Sequence, residues 1–176
     1  PLIVVQSHSD WDHIGSTFQF AGDCEILVHP DAAGELRAGV PNQEMRENLG
    51  PEHLSGPFAG SRVGESVEIP GVEPTGYLVH DQVIDLGGKS LRVLDAPGHT
   101  PGHYVFADRA EGVLFSGDHV LPTITPSIGF TVPPSDQPLS QFMASLARVR
   151  SLPDLRVLPA HGPVAPSAHA RVDELL

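Results

Sequence analysis

The sequence predicts a mixed α/β (α+β) fold in a single domain spanning 1–176. Three observations carry this reading. Short β-branched runs of strand length alternate with amphipathic helical stretches along the chain. The length, 176 residues, suits one domain. Hydrophobic residues make up 40% of the chain, enough for a real core. No internal repeat or low-complexity segment is present.

Leu2-Ile3-Val4-Val5 reads as a buried strand. A helix is expected from about Asp12, carrying Ile14 and Phe18 inward. Glu25-Ile26-Leu27-Val28 reads as a second strand. His29-Pro30-Asp31 then opens a helix to about Ala38, with proline in its first turn. Residues 39–76 are rich in Gly and Pro, with little period, and are expected to form a long loop or lid. Gln82–Leu86, Gly87-Gly88 and Ser90–Leu94 form a hairpin signal. Strands follow at about Tyr104–Ala107 and Val113–Ser116. Five prolines in 121–138 predict a stiff, irregular loop. Ser140 is placed as the cap of a helix to Arg150, which buries Phe142, Leu146 and Val149. Leu155–Leu158 is a last strand, and a final helix is expected from Ala165 to Leu176.

Charge restricts the partners. Ten Lys+Arg face 22 Asp+Glu, a formal net charge of −12. Such a surface repels a phosphate backbone, and no basic run offsets it, so no nucleic-acid partner is expected. No apolar run approaches the roughly 18–20 residues of a membrane span. No signal peptide is visible, and a cytoplasmic setting is the expectation. Cys24 is the single cysteine, so no intrachain disulfide forms. A small-molecule substrate is expected, with a homodimer as the candidate assembly. The chain starts at Pro1 inside a strand and stops inside a helix, so native sequence is expected beyond both ends.

The chemistry-bearing residues repeat one placement. His8, Asp10, Asp12 and His13 follow the first strand, in SHSDWDH. His99 follows the strand ending at Asp95, in DAPGHTPGH. Asp118 follows the next, in FSGDH, and His161 follows the last, in LPAHG. Taken singly, each is an ordinary helix-cap or turn residue. Taken together, they lie at strand C-terminal ends, which a sheet can gather at one edge. Imidazole plus carboxylate without thiolate suits zinc, iron or manganese. Seven candidates exceed the needs of one tetrahedral ion and suit two ions sharing a carboxylate. His103 and His119 are expected to support these groups or to line a pocket beside them. His29, His53, His80 and His169 read as ordinary histidines, and Trp11 as a packing residue.

SHSDWDHIGS, DAPGHTPGH, FSGDH and LPAHGP together resemble the metallo-β-lactamase superfamily, especially its glyoxalase-II-like hydrolases. The resemblance runs from Ser7 to about Pro163. It implies a four-layer αβ/βα sandwich, here expected to lack some N-terminal strands and part of the C-terminal helix. It implies that His8, Asp10 and His99 hold one metal, that Asp12, His13 and His161 hold a second, and that Asp118 bridges them. The usual first motif of the family is HxHxDH; this chain has HxDxDH, with Asp10 in place of a histidine. Three carboxylates around the ions favour iron or manganese relative to an all-imidazole site. Zinc is nevertheless the first expectation for the two divalent ions. True metallo-β-lactamases commonly have cysteine near the place of Asp118, so the glyoxalase-II-like side is favoured.

The resemblance implies a hydrolase cleaving an ester, thioester or lactone with a metal-bound hydroxide, which Asp12 orients. The lid (39–76) and the Pro-rich loop (121–138) are expected to form the substrate pocket. Two other readings stand beside this one. One is a mono-iron oxygenase resembling persulfide dioxygenases, through His8, His99 and Asp118. The other is a binding protein on a degraded hydrolase fold.

Overall fold

The β-branched run near the start forms β1 (Ile3–Val5), and Glu25–Val28 forms β2 beside it, parallel, with Ile3 opposite Glu25. The computed structural model describes residues 2–39, 69–131 and 135–176. A short β3 (Gly76–Tyr77) extends this sheet in the order β1-β2-β3. The second sheet runs β4 (Val83–Asp85), β5 (Ser90–Asp95), β6 (Tyr104–Asp108), β7 (Val113–Gly117) and β8 (Arg156–Pro159). Its first four strands are antiparallel, and β8 lies parallel to β7. The Gly87-Gly88 hairpin forms as expected, both glycines at positive φ (74° and 112°).

Alternation along the strands sorts the side chains into layers. Ile26 and Val28 of β2 face α1 (Trp11–Ile14) and α2 (Ala33–Ala38), where Ile14, Ala33 and Leu36 cover them. Leu27 turns the other way, toward Val93, Tyr104 and Phe106 of the large sheet. Leu94, Val105 and Leu114 point to the far face, under α3 (Pro138–Arg150) and α4 (Ala168–Leu175). Helix, sheet, sheet, helix is the expected four-layer order. Phe142, Leu146 and Val149 are buried beneath α3 as their spacing predicts, each burial worth roughly 1.5–3 kcal/mol.

Four local expectations need correction. The first helix lasts one turn and gives way to a 3₁₀ turn at Thr17–Phe20. The change of pitch rotates Phe18 outward, to 39% exposure, and Thr17 is buried instead. The helix expected from Ser140 starts earlier, at Pro138, with Gln137 at its cap in the left-handed region. Proline lacks an N–H to satisfy and its φ suits the first turn, so it begins the helix. The last helix begins at Ala168, capped by Ser167 Oγ, which accepts from the Ala170 N–H. Ala165 is drawn off to exchange backbone hydrogen bonds with Val157.

Most of the expected lid (39–76) lies outside the described residues. Residues 69–76 pack: Ile69 and Val72 are buried with Ile14, Ile26 and Leu36, and Gly76 opens β3. His53 lies outside the described residues, as do 132–134 of the Pro-rich loop. No helix among the described residues is long and apolar enough to cross a membrane.

Candidate metal centre

His8, His99, Asp118 and His161 follow strand ends, Asp10 caps α1 and Asp12 and His13 lie on it, and backbone hydrogen bonds tie those strand ends together. The Tyr104 N–H donates to the Ser7 carbonyl at 2.7 Å, joining the exit of β1 to the start of β6 across the two sheets. The Ala160 N–H donates to the Gly117 carbonyl at 3.1 Å, joining the exits of β8 and β7. Four imidazoles thereby meet. The ring of His8 lies 4.0 Å from that of His13 and 5.0 Å from that of His99, and the ring of His13 lies 5.4 Å from that of His161.

Carboxylates fill the gaps between these rings. Asp10 Oδ2 is 3.1 Å from His99 Nε2 and 3.6 Å from His8 Nε2. Asp12 Oδ2 is 3.2 Å from His161 Nε2 and 3.7 Å from His13 Nε2. Asp118 faces both pairs: its Oδ1 lies 3.4 Å from His13 Nε2, and its Oδ2 lies 3.7 Å from His99 Nε2 and 3.5 Å from His161 Nε2. All seven predicted residues are thus in one place. Ligand-type atoms of His8, His99 and Asp118 lie within 4.8 Å of one another, as do those of Asp12, His13 and His161.

These groups fit a cation. Nε2 of His8, His13 and His99 and Oδ1 of Asp118 are buried without a hydrogen-bond partner among the described residues. Buried polar atoms are normally paired, and four orphans gathered among these carboxylates suit a cation site. The ring orientations agree. His99 Nδ1 donates to the Ser127 carbonyl at 2.7 Å, which leaves Nε2 as the ring nitrogen facing Asp10. His8 Nδ1 is held by Ser7 Oγ at 3.0 Å.

Electrostatics follow from this crowding. Burial opposes ionisation of Asp10, but the His8 and His99 rings outweigh it and hold the carboxyl well below its usual range. Asp118 is likewise lowered, burial being overcome by His13. Burial lowers His8, whereas His13 and His99 are raised because the Asp118 and Asp10 carboxylates outweigh their desolvation. The centre also has a wet side and a dry side. The side chains of Asp10 (41%), Asp12 (33%) and His161 (44%) are exposed, while His8 and His99 are buried.

His103 and His119 lie behind the ligands, both fully buried. His103 stacks on His8 at 4.7 Å, and its Nε2 accepts from the Asp118 backbone N–H at 3.2 Å. Burial, its largest influence, pushes His103 well below its ordinary value, which suits a neutral acceptor. Gly117 (φ 51°) permits this contact, since a Cβ there would stand 2.9 Å from His103 Nε2. His119 packs edge-on to Phe142 at 5.1 Å, and burial drops it to about 4. Replacing His103 with Leu leaves the Asp118 N–H buried and unpaired. The expected cost is about 1–3 kcal/mol in denaturant unfolding, with metal affinity falling about 10–100-fold in dialysis.

The remaining described histidines do structural work. His29 Nδ1 accepts from the Asp31 N–H, His80 Nδ1 from the Asp95 N–H, and His169 Nε2 meets the Leu152 carbonyl. Trp11 packs against the Ile14–Leu36 cluster. Two contributors had no role in the sequence reading, Ser7 and Ser127. Ser7 sits beside His8, and that adjacency was a usable signal. Ser127 acts through its carbonyl, which any residue could supply. A cavity of about 380 Å³ reaches His13 between the sheets, walled by Val5, Phe106, Phe115 and Leu158. Neither expected pocket-forming loop lines it among the described residues.

A model described as the metallo-beta-lactamase superfamily matches residues 1–161. The acyl-coenzyme A thioesterase MBLAC2 of Gallus gallus is 32% identical over 165 residues, covering 92% of this chain and 56% of the relative. The protein of the same name from Homo sapiens is 32% identical over 120 residues, covering 68% of this chain and 42% of the relative. The chain therefore spans about half the length of the curated relatives it matches. A metallo-beta-lactamase family protein of Thermus thermophilus superposes with a TM-score of 0.76 at 27% identity, covering 98% of this chain and 58% of that one. TTHA1623, solved in a di-iron-bound form, superposes with a TM-score of 0.67 at 27% identity, covering 100% and 78%. By the family match, the four-layer fold and the order of its motifs, this chain belongs to the metallo-beta-lactamase superfamily.

Proposed function

We propose that this protein is a metal-dependent hydrolase of acyl thioesters. The observation that carries the reading is the convergence of His8, Asp10 and His99 on one side of Asp118, and of Asp12, His13 and His161 on the other. These residues would hold two divalent ions. When bound, such ions supply Lewis-acid polarisation of a carbonyl and make water acidic enough to attack at neutral pH. The chain's own groups do the rest. Asp12, on the wet side, accepts a hydrogen bond from the attacking water and so orients it. Half-exposed His161 and Asp10 leave the same side open for the acyl carbonyl. Buried His8 and His99 keep the opposite side dry, which strengthens every charge interaction within the centre.

The thioester class is supported by the acyl-coenzyme A thioesterase relatives, and a divalent-metal centre by the di-iron neighbour. Asp118, standing where cysteine is common in antibiotic-hydrolysing members, keeps the reading on the glyoxalase-II-like side. The second cluster, complete with Asp12, His13 and His161, favours two ions over the mono-iron oxygenase reading. The test is a panel of acyl-coenzyme A thioesters, simple esters and lactones, assayed before and after chelation. Thioester hydrolysis that chelation removes and added metal restores is the expected result. Turnover that survives complete metal removal, or none on any member of the panel with metal bound, overturns the proposal.

A further inference from the structure

We infer that Asp10 makes the two halves of this centre chemically equivalent, and that its carboxylate selects manganese(II) or iron(II) over zinc(II) more strongly than a histidine at position 10 would. The inference rests on the proposed two-ion hydrolase and concerns which ions that centre takes.

The geometry is a near repeat. On one side a carboxylate oxygen stands 3.1 and 3.6 Å from two imidazole nitrogens; on the other, 3.2 and 3.7 Å. Each side has two imidazoles and one aspartate of its own, with Asp118 shared. A carboxylate is shorter than an imidazole, yet Asp10 reaches. A purely structural role for Asp10, as a hydrogen-bond acceptor for the rings, fits His99 poorly. The His99 Nδ1 proton is committed to the Ser127 carbonyl, and its Nε2, though 3.1 Å from Asp10 Oδ2, makes no hydrogen bond to it. A cation between these two ligand-type atoms satisfies both.

Ligand chemistry sets the direction. Two imidazoles and a carboxylate with open positions is a set associated with iron(II), and carboxylate oxygen suits manganese, whereas added imidazole suits zinc. A histidine at position 10 would place three imidazoles on one side only. The sites would then differ in charge and in preferred ion. With Asp10 they match, so both should fill with the same ion at similar concentrations. Zinc remains the tighter binder in absolute terms, as the general order of divalent affinities requires. What Asp10 changes is the ratio.

The experiment is equilibrium dialysis of metal-free protein against manganese(II), zinc(II) and their mixtures, with elemental analysis of the protein compartment. It needs no activity readout. The wild-type protein should take up two manganese ions with dissociation constants within about tenfold of each other. Asp10→His should raise the zinc-to-manganese affinity ratio at least about tenfold at one of the two ions and leave the other unchanged. Asp10→Asn, which keeps the size and removes the charge, should lose one manganese ion; it also serves if the histidine variant fails to fold. Two ions bound with the ratio unchanged in both folded variants overturns the role of Asp10 while leaving the hydrolase reading intact. No divalent ion bound by the wild-type protein overturns both.

Discussion

Asp118→Ala lowers thioester hydrolysis by at least about 10³-fold while the protein still folds, because groups that act as one catalytic unit fail together when one is removed. Asp118 faces both halves of the centre, through Oδ1 toward His13 and Oδ2 toward His99 and His161. Its loss leaves the two halves without a shared ligand and removes charge from a largely buried spot. Steady-state kinetics on the best thioester, with circular dichroism as the folding control, gives the answer. His13→Ala should fall by a similar factor, since His13 meets both Asp12 and Asp118. Full turnover in either variant would end the assignment of this cluster as the reacting centre.

Gly98→Ala is expected to be a strongly damaging substitution for the turn that carries His99. Gly98 has φ 135°, which an alanine adopts only with strain, and an added Cβ would stand 2.5 Å from Phe142 Cα and 2.6 Å from Phe142 N. That contact is with helix backbone, so no side-chain rotation relieves it. Strain and overpacking together predict a loss of about 2–5 kcal/mol in urea unfolding. Gly87→Ala is the control: φ is 74° but nothing lies within 4 Å, so only about 1 kcal/mol is expected. Equal losses for the two variants would show that α3 does not press on this turn. The effect should also reach the chemistry. Gly98 precedes His99, and its carbonyl accepts from the Gly129 N–H. A shift of α3 therefore moves a ligand, and about an ångström of displacement costs on the order of 10²-fold in rate.

The local expectations succeeded where one physical effect dominates. The Gly87-Gly88 hairpin follows from two residues that tolerate positive φ between alternating strands. The buried face of α3 follows from a period that only an amphipathic helix satisfies. The expectations failed where neighbours decide. Nothing near Phe18 in the chain announces the change of pitch that turns it out, and Ala165 leaves the last helix because Val157 offers its backbone a partner.

Residue type limited which side chains could hold a cation, and their recurrence just after predicted strands marked them as one set. That was possible because imidazole and carboxylate are chemically specific and strand ends are legible from hydrophobic pattern. Their meeting at one point is a different matter. It depends on β1 and β6 joining through the Ser7 carbonyl, on the reach of Asp10 toward two rings, and on the Ser127 carbonyl turning His99. Backbone groups are the same in every residue, and contacts across nearly a hundred positions leave no local pattern, so folding in three dimensions had to supply them.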